Sequence, residues 1–322
     1  MQALIIGAAG MIGGRLAASL ARDPEPRLEA LTLVDVVEPA APAGAVPVTT
    51  GVLDLTDPAA VARRVAARHD IIVHLAAVVS GEAEADFEKG YAVNFDGARA
   101  LFEAIRAQPG YRPRVIFASS IAVYGTPFPE PIPDDFHLTP LTSYGTQKAM
   151  SELLLADYSR RGFLDGIGLR LPTVCIRPGA PNKAASGFFS NILREPLAGK
   201  EAALPVEDDV RHWHASPRAA VGFFRHAMRL DLARLGERRS LAMPGLSATV
   251  AEQIEALRRA AGERAVKLIR REPDPVIGRI VSGWATRIDA SRALALGFVA
   301  DASFDAVIAA HVEDELGGRI AL

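Results

Sequence analysis

The chain has 322 residues, 49% of them hydrophobic and 23% charged, proportions of a soluble globular protein with enough chain for one large or two modest domains. Its 36 Lys and Arg against 38 Asp and Glu leave a formal charge of −2, which argues against holding nucleic acid or an anionic membrane by broad electrostatics. The one cysteine, Cys175, leaves no internal disulfide and no multi-cysteine metal site, and fits a reducing, cytoplasmic setting.

The apolar stretch Ala3–Gly14 has no basic leader and carries four glycines. It reads as the start of a fold, not as a signal peptide. No later run approaches the ~20 apolar residues of a membrane span. In chain order, Ala3–Ile6 reads as a buried strand, followed by a glycine turn and a helix through Arg22. Ala30–Val34 is a second strand and Val46–Leu53 a weak third. A helix over Pro58–His69 leads to a strand at Ile71–Leu75. One long helix is predicted over Ala83–Ala107, a strand over Arg114–Ala118, a helix over Ser143–Arg161 and a strand over Ile167–Leu171. Short continuous apolar runs separated by helices predict a doubly wound α/β fold with a parallel sheet (Rossmann). Prolines and glycines break this rhythm between Pro172 and Gly187. Helices are then expected near Pro217–Leu235, Val250–Ala261 and Ser303–Glu315. Residues 1–171 are therefore expected to form a dinucleotide domain, and 172–322 mostly a smaller, mixed substrate domain, with some later segments returning to the first.

Gly7, Gly10 and Gly13, with Met11 and Ile12 between the last two, lie between the first strand and first helix in GxxGxxG spacing. In that context the glycines permit a tight turn, close approach of a pyrophosphate, and close packing of helix on strand. The helix N-terminus then offers free N–H groups to phosphate. Asp35 ends the second strand, where a carboxylate accepts both ribose hydroxyls and repels a 2′-phosphate, so NAD is expected over NADP. Asp54 and Leu55 after the third strand, Leu75, Ala76 and Ala77 after the fourth, and Asn94 are further candidates for the same cofactor. Thr173 is a candidate for the nicotinamide amide.

Ser120 ends the fifth strand, at the carboxyl edge of the sheet. Tyr144 and Lys148 follow at i and i+4 of a helix and so share one face. A free tyrosine titrates near ~10, and a nearby ammonium favours its phenolate. Tyr144 can then take the proton of a secondary alcohol as hydride leaves the same carbon, with Ser120 holding the substrate oxygen and Lys148 gripping the nicotinamide ribose.

Gly7–Gly13, His74–Ala77, Asn94, Ser119–Gly125, Ser143–Lys148 and Asp289–Phe298 resemble the matching segments of the extended short-chain dehydrogenase/reductases, a group that includes nucleotide-sugar epimerases and dehydratases. The resemblance runs along nearly the whole chain. It implies a Rossmann fold, NAD, a homodimer, and Ser120, Tyr144 and Lys148 as the catalytic set. Two departures narrow the chemistry. Ile121 follows Ser120 where dehydratases carry acidic residues, and Arg211–Arg218 keeps the arginine but loses the aspartates of the epimerase segment. Pro178–Gly187 and Val210–His214 concentrate Lys, Arg, His, Asn and Ser, groups that clamp a carboxylate and serve hydroxyls.

A short anionic sugar acid is thus the expected small-molecule substrate, bound by Ser120, Tyr144, Lys183, Ser186, Arg211 and His214. No nucleic acid, membrane or metal partner is expected. His212 and His214 flank Trp213 on one face of a strand, so one can line the site while the other is structural. The alternatives are a nucleotide-sugar 4-epimerase, in which NAD returns unchanged, and a non-catalytic dinucleotide-binding sensor.

Overall fold

The computed structural model describes residues 1–179 and 185–321. Seven strands form one parallel sheet: β1 (Gln2–Ile6), β2 (Ala30–Asp35), β3 (Val48–Val52), β4 (Ile71–His74), β5 (Arg114–Ser120), β6 (Asp165–Leu171) and β10 (Ser240–Ala242), in spatial order β10-β6-β5-β4-β1-β2-β3. Ala3–Ile6 and Ile71–His74 are buried throughout, which is why these strands read as unbroken apolar runs without alternation. The order reverses between β1 and β4, so their carboxyl ends diverge and open a crevice there.

The remaining strands are short. β7 (Thr173–Val174) pairs parallel, and β11 (Leu246–Thr249) antiparallel, with β9 (Arg211–Ala215); β8 (Ala202–Leu204) pairs with β12 (Ile269–Arg271). This smaller mixed layer covers a second apolar cluster, built around Phe188, Phe189, Ile192, Leu193, Val250, Leu257 and Phe304. Chain beyond residue 171 also completes the first layer. β10 extends the parallel sheet, and the helix Pro217–Arg229 packs on Met11–Arg22, where Arg225 donates to Ser19 Oγ (2.7 Å) and pairs with Asp23 (2.6 Å).

The expected single helix over Ala83–Ala107 is broken. It runs as Ser80–Ala85, Phe87–Gly90, a π-helical turn Tyr91–Asp96, and Gly97–Arg106. Asp86 ends the first piece and caps the second, its side chain accepting from Lys89 N. The widened turn swings Asn94 inward, where it is buried. Pro58–His69 is shorter than expected and stops at Val65. Val250–Val266 runs five residues beyond the expected end, with a break at Gly262, whose φ is +76°.

Several histidines lie inside. Burial, aided by the Lys148 charge, holds His74 down to about 3; burial takes His212 and His311 to about 4, and His214 well below its ordinary 6.5. Each is neutral in the fold and takes a proton readily once unfolded. Below pH 6.5 the unfolded chain therefore binds more protons, and the stability present above 6.5 is lost as pH falls toward 4. The slope is about 1.4 kcal/mol per pH unit for each such group. Urea unfolding at pH 7 and pH 5 should show a clearly lower midpoint at pH 5. A flat profile would mean that these imidazoles are already charged in the native state.

Candidate active site

The glycine turn is built by contact. Gly7 has φ +90°, and a Cβ there would overlap the backbone of Ala76; a Cβ on Gly13 would overlap the Gly7 carbonyl oxygen. The helix Met11–Arg22 begins at Gly10 with no side-chain cap and no acidic residue in its first turn. Its N–H groups are left for an anion. Asp35 Oδ2 accepts from Ala9 N (2.9 Å) and Oδ1 from Val36 N (2.7 Å), so the carboxylate ties the end of β2 to the glycine turn. An uncapped helix start, a turn that excludes Cβ and a carboxylate beside it fit the pyrophosphate and ribose of NAD.

A cavity of about 950 Å³ continues from this turn along the carboxyl ends of β4, β5 and β6. Met11, Ile12, Leu75 and Ala77 line its cofactor end, and Ser120, Tyr144, Lys148, Thr173 and Ser186 line it further along. Asp54 instead caps its own turn, accepting from Thr56 N and Oγ1 (both 2.8 Å). Leu55 is a core residue against Gly97, and Ala76 packs over Gly7. Asn94 is also behind the wall. Its Oδ1 accepts from Val78 N (2.8 Å), and its Nδ2 donates to Val78 O (3.0 Å) and Gln147 Oε1 (2.7 Å). It shapes the loop after β4 and does not face the cleft.

Tyr144 and Lys148 stand in the helix Ser143–Arg160, capped by Thr142 through Gly145 N (3.1 Å). Gly145 explains how this helix reaches β5, because a Cβ there would overlap the Ala122 carbonyl oxygen. The close approach sets Tyr144 beside Ser120 on the wall of the same cleft. Lys148 Nζ donates to Ala118 O (2.8 Å) and lies 5.6 Å from the Tyr144 ring centre and 4.8 Å from that of Phe117. The three expected catalytic groups are thus brought together.

The acidity differs from the expectation. Burial outweighs the opposing influence of the Ser120 hydroxyl and pushes Tyr144 up to about 12, and burial takes Lys148 down to about 8 against the pull of Glu152. In this enclosed setting the neutral phenol is favoured.

One turn beyond Lys148, Glu152 is buried and bound by Arg170 through Nε (3.0 and 3.1 Å) and Nη2 (2.8 Å), and accepts from Ser119 Oγ. Arg170 Nη1 reaches Tyr124 OH (2.6 Å). Tyr144, Lys148 and Glu152 form an i, i+4, i+8 row. The carboxylate closing that row was not singled out in the sequence, although its spacing was visible.

Two expected substrate ligands point elsewhere. On β9, Arg211 pairs with Glu252 (3.3 Å) and donates to Ser247 O (3.1 Å). His214 is fully buried among Phe189, Phe304 and His212, with its Nε2 3.1 Å from Gln253 Nε2. The neighbour on the same strand face, His212, lines the cleft instead and shares a 2.6 Å hydrogen bond with Thr173 Oγ1. Lys183 lies outside the described residues. Arg177, Arg194 and Trp284 also line the cleft. Cys175 is buried, its thiol pushed up to about 12 by burial, so it is unreactive. Among the described residues no helix is long and apolar enough to cross a membrane, and no cluster of three or more His, Cys, Asp or Glu could hold a metal.

Residues 3–215 match the model of the NAD dependent epimerase/dehydratase family. The chain belongs to that family. It is 49% identical to D-erythronate dehydrogenase of Cupriavidus necator over 98% of both chains, and 43% identical to D-erythronate dehydrogenase of Haemophilus influenzae over 98% of this chain and 100% of the relative. A solved structure described as the nucleoside-diphosphate-sugar epimerase from Agrobacterium tumefaciens is 61% identical, with TM-score 0.96 over 99% of this chain and 95% of that one. As a member of the epimerase/dehydratase family this chain uses NAD, and it is a dehydrogenase acting on CH–OH.

Proposed function

We propose that the chain oxidises D-erythronate at its 2-hydroxyl to 2-dehydro-D-erythronate. The observation that carries this reading is Ser120, Tyr144 and Lys148 brought together on one cleft, which also holds Arg177 and Arg194 against a single lining carboxylate among the described residues, Glu84. The two dehydrogenase relatives agree with it over almost their full length. Ser120 holds the substrate hydroxyl. Tyr144 takes its proton, and Lys148 keeps a positive charge beside the phenol that favours phenolate. NAD, when bound, accepts the hydride from C2 and adds a cationic ring that also favours phenolate. Gly7, Gly10, Gly13 and Asp35 hold the dinucleotide, and Thr173 contacts the nicotinamide end.

The 61% identity to a protein described as an epimerase keeps a second reading open, exchange at one carbon of a nucleotide sugar with NAD returned unchanged. Against it stands the segment Arg211–Arg218, which keeps the arginine but lacks the aspartates of the epimerases. A non-catalytic sensor has no use for the Ser120, Tyr144 and Lys148 set. Incubation with NAD and a panel of four-carbon aldonates should give NADH with D-erythronate foremost. No NADH from any aldonate, with isomer exchange in UDP-sugars, would establish the epimerase instead.

In this reading residues 1–171 serve NAD and 172–322 mostly the substrate, in the cytoplasm. For the homodimer that the family resemblance implies, Leu153, 66% exposed on the helix Ser143–Arg160, is an apolar side chain that a second copy would cover. Light scattering of Leu153→Glu should show loss of the dimer, and a monomeric parent would refute it.

A further inference from the structure

We infer that Arg177 is the carboxylate-binding residue of the cleft and makes the enzyme select sugar acids over neutral polyols. The inference rests on the dehydrogenase reading above and names the group that reads the acid end of its substrate.

Arg177 follows β7 and lines the same cavity as Ser120, Tyr144 and Thr173. Its backbone is pinned on both sides: its N–H donates to Ser190 Oγ (3.0 Å), and its carbonyl accepts from Arg194 Nη1 (2.8 Å). The side chain makes one hydrogen bond among the described residues, from Nη2 to Ser186 Oγ (2.7 Å). A guanidinium has five N–H donors in a planar fork that matches a carboxylate. Among the described residues most of that fork is unpartnered.

Among the described residues the other cations of the cleft are engaged elsewhere. Lys148 is bound to Ala118 O, and Arg194 is bonded to Glu195 (2.8 Å), Asn191 (2.8 Å) and Arg177 O. His212 is neutral near pH 7 because burial holds it at about 4. Arg177 makes no ion pair among the described residues, and the sequence from Gly166 to Arg194 contains no Asp or Glu, so the stretch 180–184 supplies none either. A largely buried guanidinium beside a second arginine is costly to keep charged without an anion. A substrate carboxylate supplies that charge, with Ser186 steadying the fork. The carboxylate of a 2-hydroxy acid is bonded directly to the carbon that gives up hydride, so an anion site in the same cavity as Tyr144 also sets which hydroxyl is presented.

The test compares the intact enzyme with Arg177→Gln and Arg177→Lys, on D-erythronate and on erythritol, its uncharged counterpart. Losing a charged hydrogen-bonded partner should raise KM for D-erythronate at least about tenfold and collapse the preference for acid over polyol. Arg177→Lys should recover part of both. NAD affinity and melting temperature should stay at the parent values. Calorimetric titration of D-erythronate into the NADH-bound enzyme reads the same loss without turnover. Unchanged KM and preference in Arg177→Gln would overturn the inference while leaving the dehydrogenase reading intact. Joint loss of NAD affinity and melting temperature in both variants would overturn it too, by making Arg177 a prop for the Ser186–Ser190 segment. If the parent enzyme neither binds nor oxidises any four-carbon acid, it is the dehydrogenase reading that fails.

Discussion

Tyr144→Phe should reduce oxidation by at least about 10²-fold, the lower range for loss of a positioned general base, while NAD affinity and melting temperature stay close to those of the parent. The phenylalanine keeps the ring that packs near Lys148 and removes only the hydroxyl. The pH profile separates chemistry from packing. Burial pushes Tyr144 up to about 12 in the protein alone, so the reactive phenolate is scarce at neutral pH and grows as pH rises. In the parent, kcat/KM for oxidation should therefore climb with pH, and the residual rate of the variant should not. A variant that keeps the parent rate and slope would place the base on another residue.

The second large effect is on stability. Glu152→Ala should destabilise the fold by roughly 3–5 kcal/mol, the cost of leaving one partner of a buried ion pair uncompensated. Glu152 and Arg170 are both almost completely enclosed and lie 2.8 Å apart, with Ser119 and Tyr124 attached to the same network. Replacing both at once, Glu152→Leu with Arg170→Met, should be much milder than the single change, because no charge is stranded. Urea midpoints of the single and double variants decide this. A single variant within about 1 kcal/mol of the parent would mean that water or a relaxed side chain reaches the site. Glu152 also acts on catalysis at one remove, since its charge opposes the effect of burial on Lys148. Glu152→Gln should lower the pH at which Lys148 loses its proton, and the upper limb of the oxidation profile should move with it.

The cofactor half of the site was legible because its signals are local. A glycine turn between strand and helix, an acid at the next strand end, and Tyr144 with Lys148 at helical spacing all depend on near neighbours in the chain. Asn94 is a polar residue within an otherwise helical pattern, but its job depends on a π-helical turn that no periodicity announces. Arg211 and His214 were chosen for their chemistry, and the fold turned both away from the cleft. Which face of β9 meets the cavity is set by its pairing with β7 and β11 and by packing on Phe189 and Phe304, all distant in sequence. Arg177 is one cation in a Pro/Gly-rich stretch, with no local motif to mark it. The absence of any acid between Gly166 and Arg194 was the sequence signal that could have found it.

The most direct test of the central claim is NADH formation by the purified enzyme with NAD and D-erythronate, with the product identified by mass. The expected result is one NADH for each substrate consumed, a product two hydrogens lighter than D-erythronate, and far weaker turnover with NADP, because the Asp35 carboxylate beside the glycine turn would repel a 2′-phosphate. No NADH from any four-carbon aldonate, from folded protein that binds NAD, would contradict it.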